Sequence, residues 1–164
     1  MKLKIEPIQI GVAGEYLAAG ELSLRGWASS ITLRNSRGID IIASNPEGTK
    51  SISIQVKTNS DGANKWILTK KAEEYYSENH VYIFVAIKGL GQRPEYRIVP
   101  SEKVAKQIKA GHQNWLQGKK SNGQPRKDSN IRNYHDFKDL YLEAWDIISN
   151  YKKSEGYGSE IISH

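Results

Sequence analysis

The chain contains no cysteine, which excludes disulfides and thiolate metal sites and fits a cytoplasmic location. It also lacks any run approaching the roughly 20 apolar residues a membrane-spanning helix needs. Its start, Met1-Lys2-Leu3-Lys4-Ile5-Glu6-Pro7, has no apolar signal core, so secretion is not expected. Internal repeats and low-complexity blocks are missing. So are a P-loop, a Rossmann glycine pattern, an H-E-x-x-H motif, and any serine or cysteine nucleophile with a plausible partner. No helix-turn-helix, zinc-finger or RNP signature speaks for sequence-specific reading of nucleic acid.

What is present suits a soluble globular protein: 38% hydrophobic and 26% charged residues in 164 positions, enough for one sizeable core. One domain is expected over 1–150, with a core at about 11–100, C-terminal helices and a basic loop over 101–150, and a loose tail at 151–164. The net charge of +6 permits a polyanionic partner.

Hydrophobic spacing predicts a helix from Gly11 to Arg25, on Val12, Tyr16, Ala19 and Leu22, stopped by Gly26. Strands follow at Ser30–Arg34, Gly38–Ser44 and Ser51–Thr58, the last two joined by a turn at Asn45-Pro46-Glu47-Gly48. Lys65–Thr69 is a short extended piece, and Thr69 is a suitable N-cap for a helix over Lys70–Asn79. Val81–Ile87 is apolar enough for a strand covered on both faces, with Glu95–Val99 as a neighbouring edge strand. Pro100-Ser101 opens a helix on Val104, Ala105 and Ile108, for which Gly111 is a stop. Gln117–His135 is a long polar loop. Phe137, Leu140, Tyr141, Ala144, Trp145 and Ile148 then follow the clearest helical spacing in the chain. The fold class is α/β, a mixed central sheet flanked by helices.

Four polar side chains stand where burial or a strand face is expected. Glu15 lies in line with Val12, Ala19 and Leu22, on the face a helix turns toward its core, where a carboxylate is costly unless compensated. Asp40, between Ile39, Ile41 and Ile42, is an acid in a strand. Gln55 and Lys57 project from one face of theirs, with Val56 turned the other way. Each has an ordinary alternative: Glu15 at the margin of its stripe, Asp40 at a strand start, Gln55 and Lys57 on a solvated face. A hairpin through the Pro46 turn would bring Asp40 beside Gln55 and Lys57. Together they supply what phosphodiester hydrolysis requires. Asp40 is the best ligand for Mg²⁺ or Mn²⁺, and Gln55 offers a neutral oxygen. Glu15 adds a second negative charge, directly or through water, and Lys57 orients the attacking water and stabilises developing charge.

The motifs Gly14-Glu15, Gly38-Ile39-Asp40-Ile41-Ile42-Ala43 and Ile54-Gln55-Val56-Lys57 resemble the PD-(D/E)XK nuclease superfamily, over roughly residues 11 to 87. The resemblance implies an αβββαβ restriction-endonuclease-like core with a C-terminal helical extension. It also implies a metal-dependent endonuclease acting on DNA, with Asp40, Gln55 and Lys57 at its centre and Glu15 as the helix acid. Ile39 stands where that pattern has proline. Gln55 stands where it has an acid, a Gln-x-Lys version similar to Mrr-like restriction enzymes. Segments such as Glu95–Pro100 and His112–Leu116 also look like uncharacterised bacterial proteins of this nuclease group. Because Gln55 removes one charge, a second reading stays open: a catalytically weak or inactive nucleic-acid-binding or protein-interaction module on the same fold. Cutting both strands with one small domain would call for a homodimer.

Within 117–135, Lys119, Lys120, Arg126, Lys127 and Arg132 face a single acid, Asp128. Such a loop can track a phosphate backbone, or simply be solvated. Trp27, Trp66, Trp115 and Trp145 read as core residues rather than base-stacking platforms. His112 and Trp115, one helical turn apart, are expected to pack together at a helix end.

Overall fold

The computed structural model describes residues 5–33 and 38–150. Arg34, the expected end of the first strand, and the expected tail at 151–164 lie outside the described residues.

Pro7, with its φ already suited to a helix, opens α1 (Pro7–Leu24) earlier than the apolar spacing suggests. Its start is closed by a box in which the Glu6 N–H donates to Gln9 Oε1 at 2.9 Å. Gly26, at φ 78°, turns the chain out of the helix as expected. Strands β1 (Ala28–Ile31), β2 (Ile41–Ser44) and β3 (Ser51–Asn59) form an antiparallel meander. The β2–β3 turn is closed by Asn45, whose Oδ1 accepts the Lys50 N–H at 2.9 Å. The chain continues through β4 (Trp66–Thr69), β5 (His80–Ala86), β6 (Glu95–Pro100), α2 (Ser101–Leu116), β7 (Ile131–Tyr134) and α3 (Asp146–Asn150). The main sheet has the order β1-β2-β3-β5-β6, with β3 and β5 parallel and every other pair antiparallel. β4 and β7 make a second, two-stranded sheet.

Strand alternation divides the core in two. Val81, Ile83 and Val85 of β5 join Ile41, Ile54, Val56, Ala18 and Leu22 under α1, while Tyr82, Phe84 and Ala86 face Trp66, Tyr134, Val104 and Ile108. β5 is thus covered on both faces, as its unbroken apolar run predicts. On the face away from α1, Ile42 is exposed and Ser53, Gln55 and Lys57 are half-buried, so the second layer thins out over β2 and β3.

Several expected elements take other forms. The helix expected over Lys70–Asn79 is a single 3-10 turn, Lys70–Glu73, and Thr69 makes no side-chain cap. Only Ala72 is buried there, and the chain is diverted at Ser77, whose N–H and carbonyl both bond the Ser101 hydroxyl. Gly111 does not stop α2, which runs on to Leu116. The polar loop contains β7, paired residue by residue with β4. The last expected helix shrinks to α3. Asp136 is buried and accepts the Leu140 and Tyr141 N–H groups at 3.0 Å each, while Asp139 and Glu143 take left-handed φ values of 49° and 52°. The chain then bonds to β6, Ile98 N–H to Tyr141 O at 3.0 Å and Glu143 N–H to Tyr96 O at 2.7 Å, which covers an otherwise open sheet edge. Phe137 and Leu140 are left exposed.

Candidate functional site

α1 crosses β3 where Gly14 meets Thr58. A Cβ on Gly14 would overlap Thr58 Oγ1 and lie 2.9 Å from its Cβ and Cγ2, so glycine is what lets the helix approach this closely. The buried face of the helix is therefore Gly14, Ala18 and Leu22, and not the expected stripe through Tyr16, which is 67% exposed. Glu15 stands half-buried beside that face. It borders a cavity of about 290 Å³ together with Gly11, Val12, Thr32, Ile39 and Asp40.

Asp40 precedes β2 at a bend and does not follow the strand alternation expected for it. Its N–H donates to Ile54 O at 2.8 Å, and its Oδ2 accepts the Val56 N–H at 2.7 Å, the place a backbone carbonyl would occupy in a regular ladder. A strand N–H points within the sheet plane, so this oxygen lies between the two faces rather than on one of them. Gln55 is bracketed by the two contacts. Asp40 thereby joins the Glu15 cavity on the α1 side to the Gln55–Lys57 row on the other.

Gln55 and Lys57 stand opposite Tyr82 and Phe84 of β5. Neither side chain has a hydrogen bond or ion pair among the described residues. They do not line the cavity of Glu15 and Asp40, and α1 packs on the opposite, Val56 and Thr58, side of β3. Asp40 thus shares a cavity with Glu15 and a hydrogen bond with the backbone of the strand that carries Gln55 and Lys57, and the four side chains do not line one cavity. Two neighbours were not singled out by the sequence. The buried Tyr82 hydroxyl has no partner among the described residues, and burial first, then Tyr75 and Asp40, drives its pKa well upward. His80 is buried with Nδ1 2.9 Å from Ser53 Oγ, and burial lowers its pKa. Their signal was the polar atoms inside an otherwise apolar strand facing Ser53 and Gln55. Among the described residues, no three His, Cys, Asp or Glu side chains gather into a metal cluster.

No protein-family model and no curated protein matches the sequence. Among solved structures, the chain is similar to Hjc, a Holliday junction resolvase of the archaeal hyperthermophile Archaeoglobus fulgidus. The TM-score is 0.50 at 14% identity, over 89% of this chain and 98% of that one. It is also similar to a bacterial homing endonuclease, with TM-score 0.51 at 13% identity, over 90% of this chain and 94% of that one. The fold is restriction-endonuclease-like.

Within this restriction-endonuclease-like fold, the segment 117–135 is less uniformly basic than its composition implies. Arg132 departs from the expected role of a phosphate contact: it is 2% exposed and ion-paired with Glu73, and its Nη1 donates to Ser129 O at 2.7 Å. Arg126 lies over the Trp115 ring, 4.9 Å from its centroid, and donates to Trp115 O at 2.8 Å. Lys119, Lys120 and Lys127 are exposed. Asp128 is held well below the usual carboxylate range by Lys70, then His112. Trp27, Trp66 and Trp145 are buried as expected, while Trp115 is 42% exposed. His112 and Trp115 do stack, with ring centroids 5.4 Å apart.

Proposed function

We propose that the chain is a Mg²⁺- or Mn²⁺-dependent endonuclease that hydrolyses phosphodiester bonds in DNA. The observation that carries this reading is Asp40, whose carboxylate is fixed on β3 beside Gln55 while it borders the cavity of Glu15, on a fold similar to two DNA-processing nucleases. The donor chemistry fits a hard cation: two carboxylates and an amide oxygen, with Asp40 Oδ1 not engaged in the Val56 hydrogen bond. Glu15 and Asp40, which border one cavity, would hold such an ion, and the Gln55 amide would join them only by reaching past Asp40 from the other face of β3; a bound ion would neutralise charge at the phosphate and acidify water. Lys57, with no carboxylate partner among the described residues, orients the attacking water and stabilises charge building on the phosphate oxygens. The Val56 N–H keeps Asp40 aligned, so its position costs nothing further when substrate arrives. Gln55 makes this the Gln-x-Lys form of a PD-(D/E)XK site, similar to Mrr-like enzymes. DNA, plasmid or branched, is the substrate class the two neighbours suggest.

The experiment is cleavage of plasmid and branched DNA with Mg²⁺ or Mn²⁺. Lys57→Ala should lower the rate by about 10²- to 10⁴-fold while leaving the fold intact, and Asp40→Ala should lower it at least as far, with a loss of stability because the Val56 N–H loses its acceptor. A folded protein that cuts neither DNA nor RNA with either metal would refute the reading.

One observation favours a second reading, a non-catalytic nucleic-acid-binding module on the same fold: among the described residues, only two carboxylates, Glu15 and Asp40, border the cavity. DNA binding indifferent to Asp40→Ala and weakened by neutralising Lys119 and Lys120, in a protein that cuts no nucleic acid with either metal, would select it.

A further inference from the structure

A second cavity, of about 550 Å³, lies elsewhere, between the second half of α2 and β7. One wall is the stacked pair His112 and Trp115; another is the stacked pair His135 and Phe137, with centroids 4.8 Å apart at 12°. Phe137 is 81% exposed, so the face that His135 does not cover is open to solvent. Ile131 and Asn133 of β7 also line it, on the outer face of the small sheet.

Gly111 forms part of the α2 wall, and a Cβ built there meets nothing within 4 Å. No close contact and no left-handed backbone calls for glycine at this position. In the interior of a helix it costs about 1 kcal/mol relative to alanine. Its effect is to leave the groove wide. The volume falls in the range of small-molecule and nucleotide sites, roughly 300–1,000 Å³.

The surroundings say what would enter. Trp115 leads directly into the turn that carries exposed Lys119 and Lys120, and Arg126 lies over its ring. Asp128, the nearby acid, is already paired with Lys70 and His112. Burial and Lys65 lower the pKa of His135, which keeps that ring neutral at pH 7. Exposed flat rings, with Lys119 and Lys120 a few residues along the chain from Trp115 and without an acid partner among the described residues, match the chemistry of a strand whose bases are free to stack while its phosphates meet ammonium groups.

The geometry points to a binding site for single-stranded nucleic acid in this groove, with an unpaired base stacked on Phe137 and phosphates on Lys119 and Lys120. None of its residues borders the cavity of Glu15 and Asp40, so it is a site apart from the proposed catalytic one.

The test is fluorescence anisotropy of a labelled 12-mer of thymidylate, and of the same 12-mer with its central bases removed, in EDTA. The full chain should bind the intact strand more tightly than the abasic one. Phe137→Ala and Gly111→Phe should weaken the intact strand about 5- to 150-fold, toward the abasic level. Gly20→Ala, on α1 and outside the groove, should bind as the wild type does, and circular dichroism melts of all three variants report their folding. Equal binding of the two strands would leave only the cations at work and overturn the proposal; so would a folded Gly111→Phe that binds normally. A wild type that ignores both strands, or a dimer that Gly111→Phe converts to monomer, gives the groove to a protein partner and overturns it too. Since no divalent metal is present and binding is read without cleavage, failure of the nuclease reading would not count against this one, nor the reverse.

Discussion

Gly14→Ala is the sharpest probe of how α1 is seated. In an isolated helix the change gains about 1 kcal/mol, because alanine loses less backbone entropy on folding. Here the new methyl would overlap Thr58 Oγ1 and stand 2.9 Å from both Cβ and Cγ2. Thr58 is β-branched and sits on the longest strand, so it cannot swing aside without strain. Overpacking of this kind costs about 1–3 kcal/mol, which outweighs the propensity gain and leaves Gly14→Ala less stable by about 1 kcal/mol. Gly11→Ala and Gly20→Ala, in the same helix with open space around the built Cβ, should each gain about 0.5–1 kcal/mol. Urea denaturation gives the comparison directly, and in a chain of this size about 1 kcal/mol moves Tm by about 2–4 °C. Adding Thr58→Ala to Gly14→Ala should recover part of the loss, a coupling that a double-mutant cycle reads out. Because Glu15 is the next residue, Gly14→Ala should also slow cleavage where Gly20→Ala does not. If Gly14→Ala proves as stable as Gly20→Ala, the close crossing of α1 on β3 is wrong.

Three further outcomes follow from other contacts. Arg132→Ala strands Glu73 beside a buried gap and should cost about 3–5 kcal/mol in urea denaturation, even at high salt, whereas Lys119→Ala with Lys120→Ala should stay within about 0.5 kcal/mol; an Arg132→Ala protein of unchanged stability would return this residue to the surface. Burial holds the folded-state pKa of His80 below its ordinary 6.5, so unfolded chains take up the proton first: this contribution is complete above pH 6.5 and is lost as pH falls through the folded pKa. His135 is lowered in the same direction, so the measurement is the difference between wild type and His80→Gln in urea midpoint from pH 7.5 to 5.5, and identical pH slopes would count against the burial argument. Gln55→Glu restores a carboxylate beside Asp40 and should reduce the Mg²⁺ concentration for half-maximal cleavage by about 10-fold, at some cost to stability without metal from the paired negative charges; no change in the metal dependence would remove Gln55 from the site.

The half of the molecule that builds the site was legible because its information is local. Alternation of Ile52, Ile54 and Val56 with Ser53, Gln55 and Lys57 fixes both the strand and its faces, and the Asn45–Gly48 turn fixes which strand lies beside it. Helical spacing gave α1 but not its rotation. What chooses the buried face is one missing Cβ against Thr58, a long-range fact that periodicity does not contain. The C-terminal third misled for a related reason. Phe137, Leu140, Tyr141 and Ala144 have helical spacing, yet Asp136 competes for the Leu140 and Tyr141 N–H groups, and the β6 edge offers Tyr141 and Glu143 better backbone partners. Likewise Arg132 counts as a free charge in the sequence and is spent on Glu73, 59 residues away, in the fold.

Asp40 shows why register matters more here than residue type. A two-residue shift of β2 along β3 would keep every buried isoleucine on its proper face and so cost the core little. It would also carry Asp40 away from Val56 and separate it from Gln55. What opposes that slip is polar and sits at both ends of the hairpin: the Asn45 bonds close the turn, and at the other end the Asp40 N–H and carboxylate take up Ile54 O and the Val56 N–H. The acid assigned to chemistry is thus also a register pin. Asp40→Asn separates these roles, since the amide oxygen still accepts the Val56 N–H while the charge is gone: it should hold the fold far better than Asp40→Ala and yet, like it, abolish metal-dependent cleavage.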